Sequence, residues 1–503
     1  MELKHPGTNR TGIIVKYLIF SLTYLIVLSC KSETIKINDG KIEKSITRHT
    51  GVTNQMLAEA KQKKKLNLGD LFVLAVEQTE RIAIRQEALV QAEARKSAAW
   101  GGFFPSLSYR HLENFTIPDH RKHDREINRR NEIANALLGV PTDSTSTTGT
   151  TRTQISPAFL PGDVLVLNVP IMTGLNEYSA FKTANEMVEV RKYEAQFEAG
   201  RLYLELAQLY YNILQLENTI TTNRNILSVT ENIIKELKYR VQLGKSRSAE
   251  LYNASSQLAK LEADLQKSED DLQILKSNLL TKIGSKTEVE LELESLPEEL
   301  KLPMELAMKK SDNRPDVRAA EFNLNAARAE IKRAWGGHLP TVSLNGYYRI
   351  PRSGQPRNRD IFTQFVVQIP LLSAGTISSA VKEAESAGRQ AEMVLEETKR
   401  TAGDEIRTTY RSYVNSGKIL EAYKKSMEAA ELNYKFQKRD LSQKLATSLD
   451  VFNALNTLQS SQNDYSRIQL QRYLYRVAFE IAIGNIPIKK SGDSSVGEKG
   501  DKE

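Results

Sequence analysis

The sequence predicts a mainly α-helical protein that also supplies strands to a transmembrane β-barrel. Three observations predict it. The chain is a tandem repeat in which each copy runs helix, strand, loop, strand, long helix, turn, helix. The long helices carry apolar residues at alternating spacings of 3 and 4. The short strands between them alternate apolar with polar residues, and a tilted strand of about ten residues is long enough to cross a bilayer.

Composition narrows the class before any motif is read. With 40% apolar and 26% charged residues in 503, the chain has the balance of an ordered protein. Its mean hydropathy of -0.44 excludes a polytopic helical membrane protein, which needs runs of about 20 apolar residues. A β-barrel is not excluded, because its lipid-facing residues alternate with polar ones. The net charge of +8 is small and its signs are interspersed, so no nucleic-acid partner is expected. A single cysteine, Cys30, rules out an intrachain disulfide and a thiolate metal cluster.

The first residues read as an export signal. Lys4, Arg10 and Lys16 precede an uncharged stretch from Tyr17 to Ser29, too short to span a bilayer and the right length for a signal-peptide core. The stretch ends Val27-Leu28-Ser29-Cys30, which resembles the lipobox at which bacterial lipoproteins are cut and the new terminal cysteine is acylated. A signal peptide over 1–29 and an acylated Cys30 are the expectation, followed by an N-terminal extension over 30–64.

The repeat is read from two registers. Residues 92–109 (AEARKSAAWGGFFPSLSY) align on 327–344 (ARAEIKRAWGGHLPTVSL) at an offset of 235. From Pro170 and Pro370 onward the offset is 200, through Ser179-Ala180, Tyr210, Ser248, Asn253-Ala254, Leu258 and Ile283-Gly284 and their counterparts. The difference leaves 35 extra residues in the first copy, within about Ile117 to Pro157. Repeat 1 is placed at 65–284, an inter-repeat segment at 285–303, repeat 2 at 304–484 and a polar tail at 485–503.

Strands are expected at about 104–116 and 159–170 in repeat 1, and at about 340–350 and 360–370 in repeat 2. Leu165, Leu167 and Val169 alternate with Val164, Val166 and Asn168, while Phe365, Val367 and Ile369 alternate with Gln364, Val366 and Gln368. Prolines 105, 170, 340 and 370 are read as marking strand-helix junctions. Phe103, Phe104, Tyr109, Tyr347 and Tyr348 suit the aromatic girdles of a barrel.

Coiled-coil helices are expected at about 173–284 and 373–484. Leu202, Leu206, Leu209, Ile213, Leu216, Ile220, Leu227, Ile234, Leu237 and Val241 form a heptad seam. Gly244 permits a turn, and Leu251, Ala254, Leu258, Leu261, Leu265, Ser268, Leu272, Leu275 and Leu279 continue the pattern on the returning helix. Lys444 stands where Gly244 stands in repeat 1. Heptads alone fit a periplasmic coiled-coil scaffold without channel activity, and that is the alternative reading.

Four strands cannot close a barrel, and open edges have no partners in lipid. Three copies would bring twelve strands, within the range of outer-membrane barrels. Here the sequence resembles the outer membrane efflux protein family of TolC and OprM type, over nearly all of residues 65 to 484. The resemblance rests on the duplication, on AWGGFFPSLSY and AWGGHLPTVSL, on VPIMTG and IPLLSAG opening the long helices, and on the tips RVQLGKSRSAELYNA and RDLSQKLATSLDVFNA. It implies a TolC-like α-helical barrel joined to a 12-stranded β-barrel, built by a homotrimer with four strands per chain. It further implies a passive exit duct in the bacterial outer membrane, reaching into the periplasm and anchored to lipid through Cys30. Its implied partners are a periplasmic adaptor (membrane fusion protein) and an inner-membrane pump of RND or ABC type. Drug efflux, metal efflux and protein secretion remain open.

The resemblance also assigns site residues. Acidic Asp450, with Glu250 at the matching position of repeat 1, falls where relatives narrow the periplasmic mouth, and rings of negative charge favour cations. Asn453 and Asn253 stand one turn on, where some relatives carry a second acid. A latching arginine of some relatives falls at Ala446, leaving Arg247 or Lys444 as substitutes. Gly244, Ser246, Arg247, Lys444, Ala446 and Thr447 are the expected adaptor contacts. Glu250 and Asp450 equally suit the first turn of a helix, where the dipole stabilises a carboxylate. No phosphate-binding glycine loop or G-x-S-x-G elbow occurs, His111, His120 and His123 are read as incidental, and neither an enzyme nor a cofactor is expected.

Overall fold

The structure, a computed structural model, describes residues 52–112, 162–285, 289–292, 302–350, 361–443 and 445–487. Cys30 and the signal sequence expected before it, the 117–157 insertion, His120, His123 and Lys444 lie outside the described residues. In chain order the elements are α1 (Asn54–Gln62), β1 (Lys65–Leu66), α2 (Leu68–Gln78), α3 (Glu80–Gly101), β2 (Ser106–Leu112), β3 (Gly162–Thr173), α4 (Asn176–Gln242) and α5 (Ser248–Ile283). There follow β4 (Glu290–Leu291), α6 (Met304–Lys309), α7 (Pro315–Gly336), β5 (Thr341–Arg349), β6 (Ile361–Gln368), α8 (Thr376–Ser442) and α9 (Ser448–Ala482). The chain divides into two compact units, one around 98–179 and 332–380 and the other around 36–97, 180–331 and 381–503.

The first unit holds a four-stranded antiparallel sheet in the order β2-β3-β5-β6. Strands alternate their side chains between faces, so the register assigns each residue to one side. One face carries Leu107, Tyr109, Leu165, Leu167, Val169, Leu344, Tyr348, Phe365 and Val367. The other carries Ser106, Ser108, Arg110, Asn168, Ser343, Asn345, Gln364 and Gln368 among a few apolar residues. Adjacent residues cannot share a face, so Tyr348 lies on the apolar side and Tyr347 does not. Tyr347 instead packs its ring 6.0 Å from Phe362, its cross-strand neighbour.

Pro170 corrects the expectation for the prolines. It lies inside β3, which continues to Thr173, and the pairing with β5 shifts register between Pro170 and Met172. Proline lacks the N–H that a regular ladder needs and is tolerated where a bulge interrupts pairing. Both strand-to-helix elbows then turn through two consecutive residues of positive φ, Gly174 and Leu175 at 61° and 66°, Ala374 and Gly375 at 47° and 83°. At the first elbow glycine is required by contact as well. A Cβ on Gly174 would lie 2.5 Å from the Gly336 carbonyl oxygen, and one on Gly336 would lie 1.8 Å from that of Gly174.

The second unit is helical. The long helices α4 and α8 contain 67 residues each and have the same bounds shifted by 200, about 100 Å at 1.5 Å per residue. The heptad seam of α4 is inside, with Leu206 and Ile213 fully buried and the remaining members buried or half-buried. The main core gathers α1, α2, parts of α4 and α9 and the end of α5 around Phe72, Leu71, Tyr203, Tyr210 and Tyr473. Helix α2 is started by a capping box, Asn67 accepting from the Asp70 amide at 2.8 Å while Asp70 accepts from the Asn67 amide at 3.3 Å. Each fully buried Leu or Phe of such a helix contributes roughly 1.5–3 kcal/mol.

The two repeats are tied at equivalent joints by different side chains. In repeat 2, Arg314 is buried, binds Asp316 through two nitrogens at 2.8 and 3.0 Å, reaches Glu405 at 2.7 Å and donates to the Ala482 carbonyl at 2.9 Å. In repeat 1, Arg81 binds Glu198 and, at 3.0 Å, Glu205, while Thr79 Oγ1 donates to the Lys282 carbonyl at 3.4 Å. Glu205 and Glu405, and Lys282 and Ala482, are repeat equivalents at the offset of 200.

Candidate functional site: the helix tips and the sheet faces

Each pair of long helices is closed by a tight turn, and the two turns are built differently. After α4, Gly244 at φ 68° ends the helix. Its amide donates to the Val241 carbonyl, and the Lys245 amide reaches back to Arg240 at 2.8 Å. That is the paired bonding of a Schellman motif, which satisfies carbonyls the helix end leaves free. After α8, the Leu445 amide makes the corresponding bond to Asp440 at 2.8 Å.

The returning helices begin differently as well. Arg247 caps α5 without a side-chain hydrogen bond, and Glu250 is half-buried, accepting from Ser246 Oγ at 2.9 Å. Thr447 caps α9 with a capping box. Its Oγ1 accepts from the Asp450 amide at 3.2 Å, and its own amide and hydroxyl donate to Asp450 Oδ2 at 2.8 and 2.6 Å. The Thr447 hydroxyl and amide hold the Asp450 carboxyl below the usual carboxylate range. Asp450 is exposed all the same, as are Asn253, Asn453, Gly244, Arg247 and Thr447, while Ser246 and Ala446 are half-exposed.

The tips pack on one another through Leu237, Ala254 and Phe452, with Asn456 Nδ2 donating to Gln257 Oε1 at 3.1 Å. Glu250 and Asp450 thus sit on first turns of helices joined by one small core. Sequence reasoning did not single out Leu445 or Tyr252, the most exposed large apolar residues of the tips at 76% and 74%. Nothing in the heptad pattern marks them, because one lies in the turn and the other on the outward side of α5.

In the sheet, His111 is a strand residue. Its Nδ1 lies 2.6 Å from Asp163 Oδ1, which also accepts from the Tyr109 hydroxyl at 2.6 Å. The three residues share the apolar face at the end of the sheet away from the Trp-Gly-Gly elbows, and 50 residues of sequence separate His111 from its partner strand. The register alone brings them together. Among the described residues no group of His, Cys, Asp and Glu could hold a metal ion, and no helix is long and apolar enough to cross a membrane.

Residues 308–485 match the model of the family described as Outer membrane efflux protein. The chain is similar in sequence and fold to outer membrane efflux proteins. Among curated proteins it is 26% identical over 152 residues to the proteases secretion protein PrtF of Dickeya chrysanthemi, covering 29% of this chain and 33% of that one. It is 22% identical over 212 residues to outer membrane protein TolC of Escherichia coli K12, covering 39% and 43%. The matched stretches thus span a third to about two fifths of these relatives' length. The similarity in fold is broader. The crystal structure of outer membrane protein VceC from Vibrio cholerae superposes with a TM-score of 0.65 at 17% identity, over 83% of this chain and 96% of that one. The TolC-like fold expected from the resemblance is therefore the fold that this chain shares with VceC.

Proposed function

We propose that this chain is an outer-membrane exit duct that works as a homotrimer. One observation carries the reading: a four-stranded sheet, apolar on one face and polar on the other, in which β2 and β6 each pair with one strand and leave the outer edge unpaired among the described residues. A sheet of this kind is costly in water and worse in lipid until its edges are paired. Closure by three copies gives a barrel with lipid outside and a polar lumen inside. The helical unit would extend the duct into the periplasm, where an adaptor and an inner-membrane pump of RND or ABC type supply substrate and energy. No step of this work needs a catalytic group.

The internal repeat supports a register for that closure. If β6 of one copy meets β2 of the next as β3 meets β5 within the chain, Gln368 faces Arg110 and Ala374 approaches Gly101, as Asn168 faces Asn345 and Gly174 approaches Gly336. A Cβ on Gly101 would meet nothing within 4 Å in the single chain. Gly101→Val is therefore expected to leave the isolated chain folded and to prevent trimer formation, read by native mass spectrometry and by conductance in planar bilayers. A trimer that forms and conducts normally with Gly101→Val would remove this register, and a salt-extractable monomer from wild-type cells would remove the duct.

Within the same reading, Glu250 and Asp450, with Asn253 and Asn453 one turn on, line the periplasmic mouth. Gly244, Ser246, Arg247, Lys444, Ala446 and Thr447 meet the adaptor, and Cys30 carries the lipid anchor. Replacing Glu250 and Asp450 together by Ala is expected to weaken cation preference and divalent block, and unchanged selectivity would exclude them from the gate.

A further inference from the structure

We infer that Arg110 and Arg349 form an oxyanion-binding site on the polar face of the sheet, at the end away from the Trp-Gly-Gly elbows. Both residues pair with Val164, one from β2 and one from β5, so the two arginines flank a single buried residue on the same side. Their Cα atoms are two strand spacings apart, about 10 Å, a gap that two arginine side chains can close around one multivalent anion.

The second observation is the state of Arg349. Its Nε and Nη2 are buried and have no hydrogen-bond partner among the described residues. A guanidinium keeps its charge at every physiological pH, and burying its donors without acceptors is expensive. An oxyanion offers what is missing, since phosphate and carboxylate match the fork of N–H groups in geometry and charge.

No described strand residue of opposite sign shares that face. Among the described strand residues, the polar face carries no Asp or Glu, and Asp163 points to the other side of β3. Closure of the barrel in the register proposed above would bring Gln368, and no carboxylate, opposite Arg110. The outer part of the lumen is thus cationic, opposite in sign to the acidic mouth proposed at the helix tips. Solutes bearing phosphate or several carboxylates would be held there, and small anions favoured in passage.

This inference rests on the duct reading, and the experiment separates the two. Full-length protein is inserted in planar bilayers under a KCl gradient, and reversal potential is measured with and without tripolyphosphate added to each side of the membrane in turn. Arg110→Ser with Arg349→Gln is expected to shift the K⁺ to Cl⁻ permeability ratio at least about twofold toward K⁺ and to abolish the block by tripolyphosphate. Arg110→Ser alone, at an exposed position, is expected to move both in the same direction by less, which keeps the test decisive should the double variant fail to insert. Arg110→Lys should retain most of the selectivity. A channel whose selectivity and tripolyphosphate response are the same in wild type and both Ser-containing variants overturns the site and leaves the duct intact. Block by tripolyphosphate that persists in the variants also overturns it, placing the anion elsewhere. Failure of the wild-type protein to form any channel overturns the duct and the site together.

Discussion

Helices α4 and α8 have the same length and the same bounds shifted by 200, yet one is enclosed by its own chain and the other is not. Around α4, buried and half-buried positions occupy most of the circumference between Val190 and Leu214. Around α8 the buried positions are fewer, Gly388, Ala391, Ala402, Gly403, Ile406, Tyr413, Ser416 and Ala430, and half-buried residues continue them along one stripe. The rest of α8 faces outward and includes Met393, Val414, Ile419, Leu432 and Phe436, each more than 40% exposed. Three of these have polar counterparts in α4: Ile419, Leu432 and Phe436 stand where Thr219, Asn232 and Glu236 do. Apolar residues retained on an open face, at positions the sister helix makes polar, are the mark of a helix built to be covered by another molecule.

The largest expected effect breaks this comparison at the open face. Ile419→Glu, Leu432→Glu and Phe436→Glu together are expected to abolish the proposed trimer while the helical content of the chain stays unchanged. Native mass spectrometry and circular dichroism read the two outcomes, and a trimer surviving all three substitutions would mean that α8 needs no cover there.

A second difference lies at the joints. Arg314 is buried with Asp316 and Glu405 around it, whereas the side chain of Arg81 is 44% exposed beside Glu198 and Glu205. Arg314→Ala leaves the carboxylates and the Ala482 carbonyl without their donor and is expected to cost about 3 kcal/mol. Arg81→Ala is expected to cost about 1 kcal/mol or less, because water replaces an exposed partner. Thermal midpoints of the two variants in the same detergent test the order. Equal losses would mean that the repeats are braced alike.

The smallest effect sharpens the contrast between the tips. Because Asp450 is held below its usual value by Thr447, its contribution to the α9 cap is complete above the unfolded carboxylate pKa, near 4, and fades as pH falls through the folded value. The stability difference between wild type and Asp450→Asn should therefore narrow as pH drops below about 4. At the other tip Arg247 makes no side-chain cap hydrogen bond and Glu250 has no capping box. Melts between neutral pH and pH 3 in the presence of detergent suffice to see it.

Much of this molecule could be read from one sequence because its periods are long and duplicated. The heptads predicted α4 and α5 closely, and alternation placed Leu165, Leu167, Val169, Phe365 and Val367 on one face, as the register has them. Pro170 was misplaced because strand bounds were inferred from proline, and β3 runs through its proline by way of a bulge; Tyr347 was misplaced because it neighbours Tyr348 in β5 and so lies on the opposite face. The glycines of Trp-Gly-Gly and of VPIMTG were legible as motifs, but not as contacts. Only the fold brings Gly336 against Gly174, 162 positions away in sequence.

The sequence by itself determined which residues pair with their own neighbours, since local spacing fixes the exposed and buried sides of a helix or strand. What it could not determine depended on partners distant in the chain. Thr79 and Arg81 do the work that Arg314 and Asp316 do in the other repeat, Asp163 gathers Tyr109 and His111 from another strand, and Arg110 and Arg349 flank Val164. Periodicity records the face a side chain occupies. Which other side chain shares that face is set by strand order and register, and those were decided only when the two repeats came together in one sheet and one bundle.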